Sequence, residues 1–216
     1  MSARLPAALT PVQDAAALLA RAAGEESTVE GVCIRGADLS GTRYDGLRMR
    51  GVRLEGCRLT GCRWERADLA DVVLEDCELS GSGWQDAFFE RVELAGCKAA
   101  GADFGETGWR DAAWRDCRLP DAVFDRARLR RVAVSGCDLT GASLCDCQWK
   151  GWTLAETSLR SVRLLHTPLT GLDLTGCELD GVAVSDTHAE LRVAVVTMEQ
   201  AAMLAKRLGL VIKGGG

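Results

Sequence analysis

The sequence predicts an all-β solenoid, a quadrilateral parallel β-helix of about eight coils, on three observations. An apolar or aromatic residue stands at every fifth position from Ile34 to Val184, without insertion or deletion. Like residues recur every twenty, as Cys57, Cys77, Cys97, Cys117 and Cys137, or Tyr44, Trp64, Trp84, Phe104 and Phe124. Glycine collects two residues past the centre in two of four columns, as at Gly41, Gly61 and Gly81, or Gly36, Gly56 and Gly96. A period of five fits neither a helix nor a strand. It is a repeat signature.

Four five-residue steps therefore make one coil. Each centre points inward, together with a smaller residue two positions before it. The other three residues point outward or form the corner. Stacked about 4.8 Å apart, the coils make a tube roughly 37 Å long. The four faces follow one another as a Val face (centres Ile34, Leu54, Leu74), a Leu face (Leu39, Leu59, Leu79), an aromatic face (Tyr44 to Phe124) and a basic face (Met49, Leu69, Phe89, Trp109, Leu129, Trp149). The sorting of glycine predicts two corner geometries. Trp152 occupies a small-residue position, which predicts a bulge near Trp149–Trp152.

The two ends are expected to be helical caps. Residues 1–30 form a loose lead-in and a helix from Pro11 to Ala23. Thr10 is its N-cap, Gln13 completes a capping box and Gly24 stops it. Val12, Ala15, Ala16, Leu19 and Ala23 form its buried face. Residues 31–186 are the solenoid. In 187–216, Leu191–Val196 reads as extended, and Thr197 with Gln200 makes a second capping box. A helix then runs from Met198 to Leu208, followed by a short strand over Leu210–Ile212 and a disordered tail. Leu204, Leu208, Leu210 and Ile212 are candidates for a joint between two copies.

The 216 residues carry a net charge of −5 and are 47% hydrophobic. That balance argues against direct nucleic-acid binding. No apolar run is long enough to span a membrane. The N-terminus lacks a signal-peptide pattern, so a cytoplasmic location is expected.

No residue pattern points to catalysis, a cofactor or a metal. Eight cysteines (Cys57, Cys62, Cys77, Cys97, Cys117, Cys137, Cys147, Cys177) take the small inward position and read as core residues. Cys33 and Cys145 take outward positions and are expected to be the reactive thiols. His166 and His188 read as solvated. Charge is more informative. The basic face has eight outward bases, including Arg110, Arg128, Arg130 and Arg131, against four acids. The aromatic face has eight acids, including Asp45, Glu65, Asp86, Asp103, Glu106, Asp125 and Asp146, against five bases. Both faces are candidate partner surfaces.

Steps such as Ala37-Asp38-Leu39-Ser40-Gly41 and Ala67-Asp68-Leu69-Ala70-Asp71 resemble the motif of the pentapeptide-repeat family, and the resemblance covers about 150 of 216 residues. It implies a right-handed quadrilateral β-helix. A filled tube is expected to hold no inward polar cluster or open pocket, so no enzymatic activity is expected. Some members are dimeric rods that mimic duplex DNA and protect DNA gyrase or topoisomerase IV from quinolones or toxins. The expected function is therefore that of a protein-binding rod of this kind, with an interaction scaffold for an unrelated partner as the alternative.

Overall fold

Each step turns at the residue two beyond its centre. The computed structural model describes residues 3–207 and residue 211. In it the corner residues from Gly31 to Gly171 have φ between 48° at Glu156 and 75° at Gly171. This left-handed conformation costs an ordinary L-residue about 1–2 kcal/mol. Glycine avoids that cost and aspartate tolerates it best, which explains the composition of the corners.

Two corner geometries do occur. After the Leu and aromatic centres the amide three residues on donates back to the centre's carbonyl, as Thr42 to Leu39 and Ala87 to Trp84. With positive φ at the third residue, these are type II turns. After most basic centres the strand resumes beyond the corner, and Arg48–Glu55 and Asp68–Glu75 pass it unbroken, whereas after most Val centres the strand ends at a bend that lacks this hydrogen bond. The sorting differs from the one glycine predicts, which grouped the Leu face with the Val face. All four corners need positive φ, so glycine does not report the turn type. At some corners the neighbour also excludes a side chain, since a Cβ at Gly96 would fall on the carboxylate of Asp76 and one at Gly136 on that of Asp116, whereas Gly36, Gly41, Gly56, Gly61 and Gly81 have open space around them.

From Thr28 onward the strands pair in parallel at an offset of twenty residues, as Met49 with Leu69 and Leu54 with Leu74. The basic and Val faces form one 13-stranded sheet. The Leu and aromatic faces contribute mainly single bridges, such as Asp38 with Arg58 and Arg43 with Arg63, and on the Leu face Thr157–Ser158 pairs with Cys177–Glu178 as a separate two-stranded sheet. The result is a parallel β-solenoid of about eight coils. Side chains fill its interior. Trp64, Trp84, Phe104 and Phe124 are buried and stack at 5.1–6.2 Å between ring centroids. The indole N–H of Trp84 donates to Ser82 Oγ, and that of Trp109 to Thr107 Oγ1. A hydroxyl at the small position thus satisfies the tryptophan two residues on.

The strands hold register through Trp149–Trp152, where a bulge was expected. Gln148–Lys150 pairs with Arg128–Arg130, and Thr153–Ala155 with Ala133–Ser135. Crowding is relieved by side chains instead. Trp152 takes the interior, and Trp149 lies half-exposed, its indole donating to Pro168 O at 2.6 Å. The sheet of the basic face ends at Gln148–Lys150. Twenty residues beyond Gln148 stands Pro168, which has no N–H to continue the ladder.

The N-terminal helix α1 spans Ala15–Gly24, later than expected, and Asp14 caps it by accepting from Ala17 N at 2.9 Å. Thr10 is not the cap. Thr10–Pro11 instead pairs with Val32–Cys33 and covers the first edge of the Val face. The buried side of α1 is Ala15, Leu19 and Ala22, while Ala16 faces solvent. The lead-in before it is bound rather than loose. Ala3 N donates to Glu93 Oε1 and Arg4 N to Asp71 Oδ1, and Pro6 lies over Gly51, where a Cβ would come within 2.9 Å of its ring.

At the other end, Leu191–Val196 is not simply extended. Ala189–Leu191 is a 3-10 turn, and Val195 then bridges Asp173. The carboxylate of Glu190, 3% exposed, closes the last coil by accepting from His166 N, Ser185 N and Ser185 Oγ. Helix α2 spans Met198–Arg207 and carries the expected capping box: Gln200 N donates to Thr197 Oγ1 and Thr197 N to Gln200 Oε1. Gln200 Nε2 also donates to Leu174 O and Cys177 O, tying α2 to the coil beneath.

Glu190 gives the closure a pH dependence. Burial raises its pKa, but donors from the backbone of Glu190, His166 and Ser185 and from the Ser185 hydroxyl outweigh burial and hold the group below its usual value. A depressed carboxylate stabilises the fold fully above its unfolded pKa of about 4.3, and that contribution is lost as pH falls through the folded value. Glu190→Gln is expected to cost about 1–3 kcal/mol at pH 7 and to flatten the acid limb of the stability curve. Urea midpoints measured from pH 7 down to pH 3 check this.

Candidate protein-binding surface

The cysteine ladder belongs to the core. Cys57, Cys77 and Cys97 donate to Ile34 O, Leu54 O and Leu74 O, each in the preceding coil, at 3.3–3.5 Å. Burial pushes Cys62 and Cys147 up to about 12 and Cys177 to about 11. At the ladder's ends, Cys57 and Cys137 are raised by hydrogen bonding to the neighbouring thiol and by burial. Among the described residues no group of three or more His, Cys, Asp or Glu side chains is placed to hold a metal. Cys33, expected to be reactive, is only 8% exposed because the lead-in lies over it. Cys145 is the one cysteine that is not buried. A thiol reagent at pH 8 is expected to label Cys145 first, with the other nine reacting only on unfolding. Loss of the fast phase in Cys145→Ser checks the assignment.

The outer wall is sorted by charge, and ion pairs redistribute that charge. On the aromatic face Asp45 pairs with Arg43 and Arg66, Glu65 with Arg66, and Glu106 with Arg126 at 2.6 Å. Asp103 instead accepts from Gln85 Nε2 and Gly105 N, and Asp125 from Cys145 N and the Ser143 hydroxyl. Asp146 meets His166 Nδ1 at 3.0 Å. Asp86 forms no ion pair among the described residues. The acids of this face without an arginine or lysine partner among the described residues are therefore Asp86, Asp103, Asp125, Asp146 and Asp186, the first four of them midway along the tube.

The basic face divides in the same way. Arg50 pairs with Asp68, Arg91 with Asp71 and Glu90, and Arg131 with both oxygens of Asp111. The guanidinium of Arg131 holds the Asp111 carboxyl below the usual range. Arg110 meets Glu90 at 3.5 Å and lies 5.4 Å from the centre of the Phe88 ring. Arg128, Arg130 and Lys150 are exposed and form no ion pair among the described residues. Beside them a groove of about 1060 Å³ follows the edge between the two charged faces, lined by Trp149, Lys150, Arg128, Asp86, Asp146 and His166 among others.

Of the predicted joint residues, Leu204 is half-buried and lines a cavity together with Val182, Val184 and Leu191. Leu208, Leu210 and Ile212 lie outside the described residues. Val193, Val195 and Met198 are exposed apolar residues near the same end, at 74%, 47% and 86%. Sequence reasoning had assigned Trp149 to the core and had not singled out Phe88 or Val193. Pro168, twenty residues after Gln148, is the signal that could have placed Trp149 at an open edge.

This wall belongs to a solenoid of five-residue steps whose interior is filled by apolar side chains. A family model described as pentapeptide repeats matches residues 48–82, 110–146 and 137–176, and the chain belongs to the pentapeptide-repeat family. Proteins of this family are generally structural or binding proteins. A comparison with curated proteins finds no match. Among solved structures, a trypsin-treated form of QnrB1, a plasmid-mediated fluoroquinolone resistance protein, is 20% identical with a TM-score of 0.44, covering 86% of this chain and 99% of that one. HetL, involved in heterocyst differentiation regulation in the cyanobacterium Nostoc sp. strain PCC 7120, is 18% identical with a TM-score of 0.38, covering 78% and 86%. Neither likeness bears on function.

Proposed function

We propose that this chain is a non-enzymatic, cytoplasmic binding rod whose partner is a type II topoisomerase, DNA gyrase or topoisomerase IV, which it protects from quinolones or toxins. The observation that carries this reading is the run of acids without an arginine or lysine partner midway along the tube, Asp86, Asp103, Asp125 and Asp146. A filled core supports it too, since side chains that could meet another molecule stand on the outer wall. The acid amounts to about one charge per 4.8 Å of tube, against one per roughly 1.7 Å of duplex. Mimicry of DNA at that density rests on the rod's shape as well as on charge. Purified protein at micromolar concentration is expected to inhibit gyrase supercoiling or to relieve its block by ciprofloxacin. Asp86→Asn, Asp103→Asn and Asp125→Asn combined should abolish the effect. A wild-type protein that neither inhibits nor protects would overturn the proposal.

Two rods are proposed to join end to end through the C-terminal segment, and the exposed Val193 and Met198 support this. Light scattering is expected to give a dimer for the full chain and a monomer for Val193→Asp with Met198→Lys. A monomeric wild type would remove the joint.

A further inference from the structure

Three cations of the basic face stand in a row. Arg110, Arg130 and Lys150 are register partners on successive strands, so they step along the tube at about 4.8 Å per coil. Arg128 stands on the same strand as Arg130, roughly 7 Å to one side. Like charges in facing positions are destabilising. Elsewhere on the tube a cation one coil away from an acid pairs with it, as Arg35 with Glu55 and Arg58 with Asp38. Here three coils keep the same sign, and only Arg110 has an acid, at 3.5 Å.

We propose that this row docks an acidic α-helix of a partner protein, one that carries carboxylates at i, i+3 or i+4, and i+7. The pitch selects the helix. From Arg110 to Lys150 is two coils, about 10 Å, and from i to i+7 a helix rises about 10.5 Å. Three carboxylates on one side of a helix therefore meet three cations nearly in step. An extended peptide repeats a side every 6.7 Å or so, and its second carboxylate falls between cations. The apolar flanks suit a helix as well. Phe88, one coil before Arg110, and Trp149, beside Lys150, are half-buried toward the two ends of the row, and Gly108 between them leaves the floor low, since a Cβ there would meet Phe88 at 2.8 Å. The chain's own helices lack the stripe: α1 contains no acid, and α2 contains only Glu199. A nucleic acid carries charge along its whole length and would also meet Asp86, Glu106 and Asp146 of the adjoining groove, whereas a helix with a single acidic stripe can confine its carboxylates to the cation row. This inference goes beyond the topoisomerase reading and uses a different face.

The test is fluorescence anisotropy of the full-length protein with a labelled alanine-based peptide helix bearing glutamate at i, i+3 and i+7. The control peptide has the same composition with its glutamates spread around the helix. In about 0.05 M salt the striped peptide should bind about tenfold more tightly than the control, and raising the salt to about 0.3 M should weaken it severalfold. Arg130→Glu with Lys150→Glu, both at exposed positions, should lose at least about tenfold, and Trp149→Ala a few-fold. The same variants should leave the gyrase assay unchanged. Equal binding of the two peptides, binding insensitive to the double charge reversal, or no binding would each overturn the proposal. Tighter binding of a single-stranded oligothymidylate than of the striped peptide would also overturn it and would assign the row to nucleic acid.

Discussion

The left-handed corner at every fifth residue is the constraint on which the rest of this structure depends. It closes each coil after four steps and sets every residue on top of the one twenty earlier. Backbone hydrogen bonds between coils, such as Leu59 N to Glu78 O at 2.7 Å, hold that stack. From Arg66 to His166 fifteen corners carry a side chain in this conformation, each at a cost of about 1 kcal/mol or more. The continuous ladder on both sides offsets the cost. Stacking also explains the columns, because a buried residue on this tube has its counterpart as its nearest neighbour.

The same stacking governs the surface. Charges one coil apart lie close enough to pair, and most of the arginines do so. Their effect is to neutralise the N-terminal part of the aromatic face at Asp45 and Glu65 and the middle of the basic face at Asp71, Glu90 and Asp111. What is left is a shorter acidic patch and a shorter basic row on adjoining walls. Exposed ion pairs of this kind add little stability. Their consequence here is to decide which charges remain for a partner.

The ends of the tube follow from the need to cover an open sheet edge. At the start, Thr10–Pro11 lies along Val32–Cys33, and α1 sits on the first coil. At the finish, Pro168 interrupts the basic face, Glu190 closes the turn and Gln200 binds the last carbonyls through its side chain. These closures use single side chains at unrepeated positions, so periodicity could not reveal them. The capping reading at Thr10 failed for the same reason: Thr10 and Pro11 serve the sheet edge, and Asp14 is left to start the helix.

By itself the sequence determined the number of faces, the register of twenty, the inward columns and the sign of each face, because all of these repeat and each repeat confirms the next. It also determined the capping box at Thr197 and Gln200, which is a local contact. Only the tertiary structure decided that Cys33 is covered, that Trp149 turns half outward, and that Arg128, Arg130 and Lys150 stay unpaired while Arg131 does not. Each of those outcomes depends on which side chain lies one coil away or which distant segment crosses the surface. Such contacts are set by three-dimensional proximity, and a linear period does not encode them.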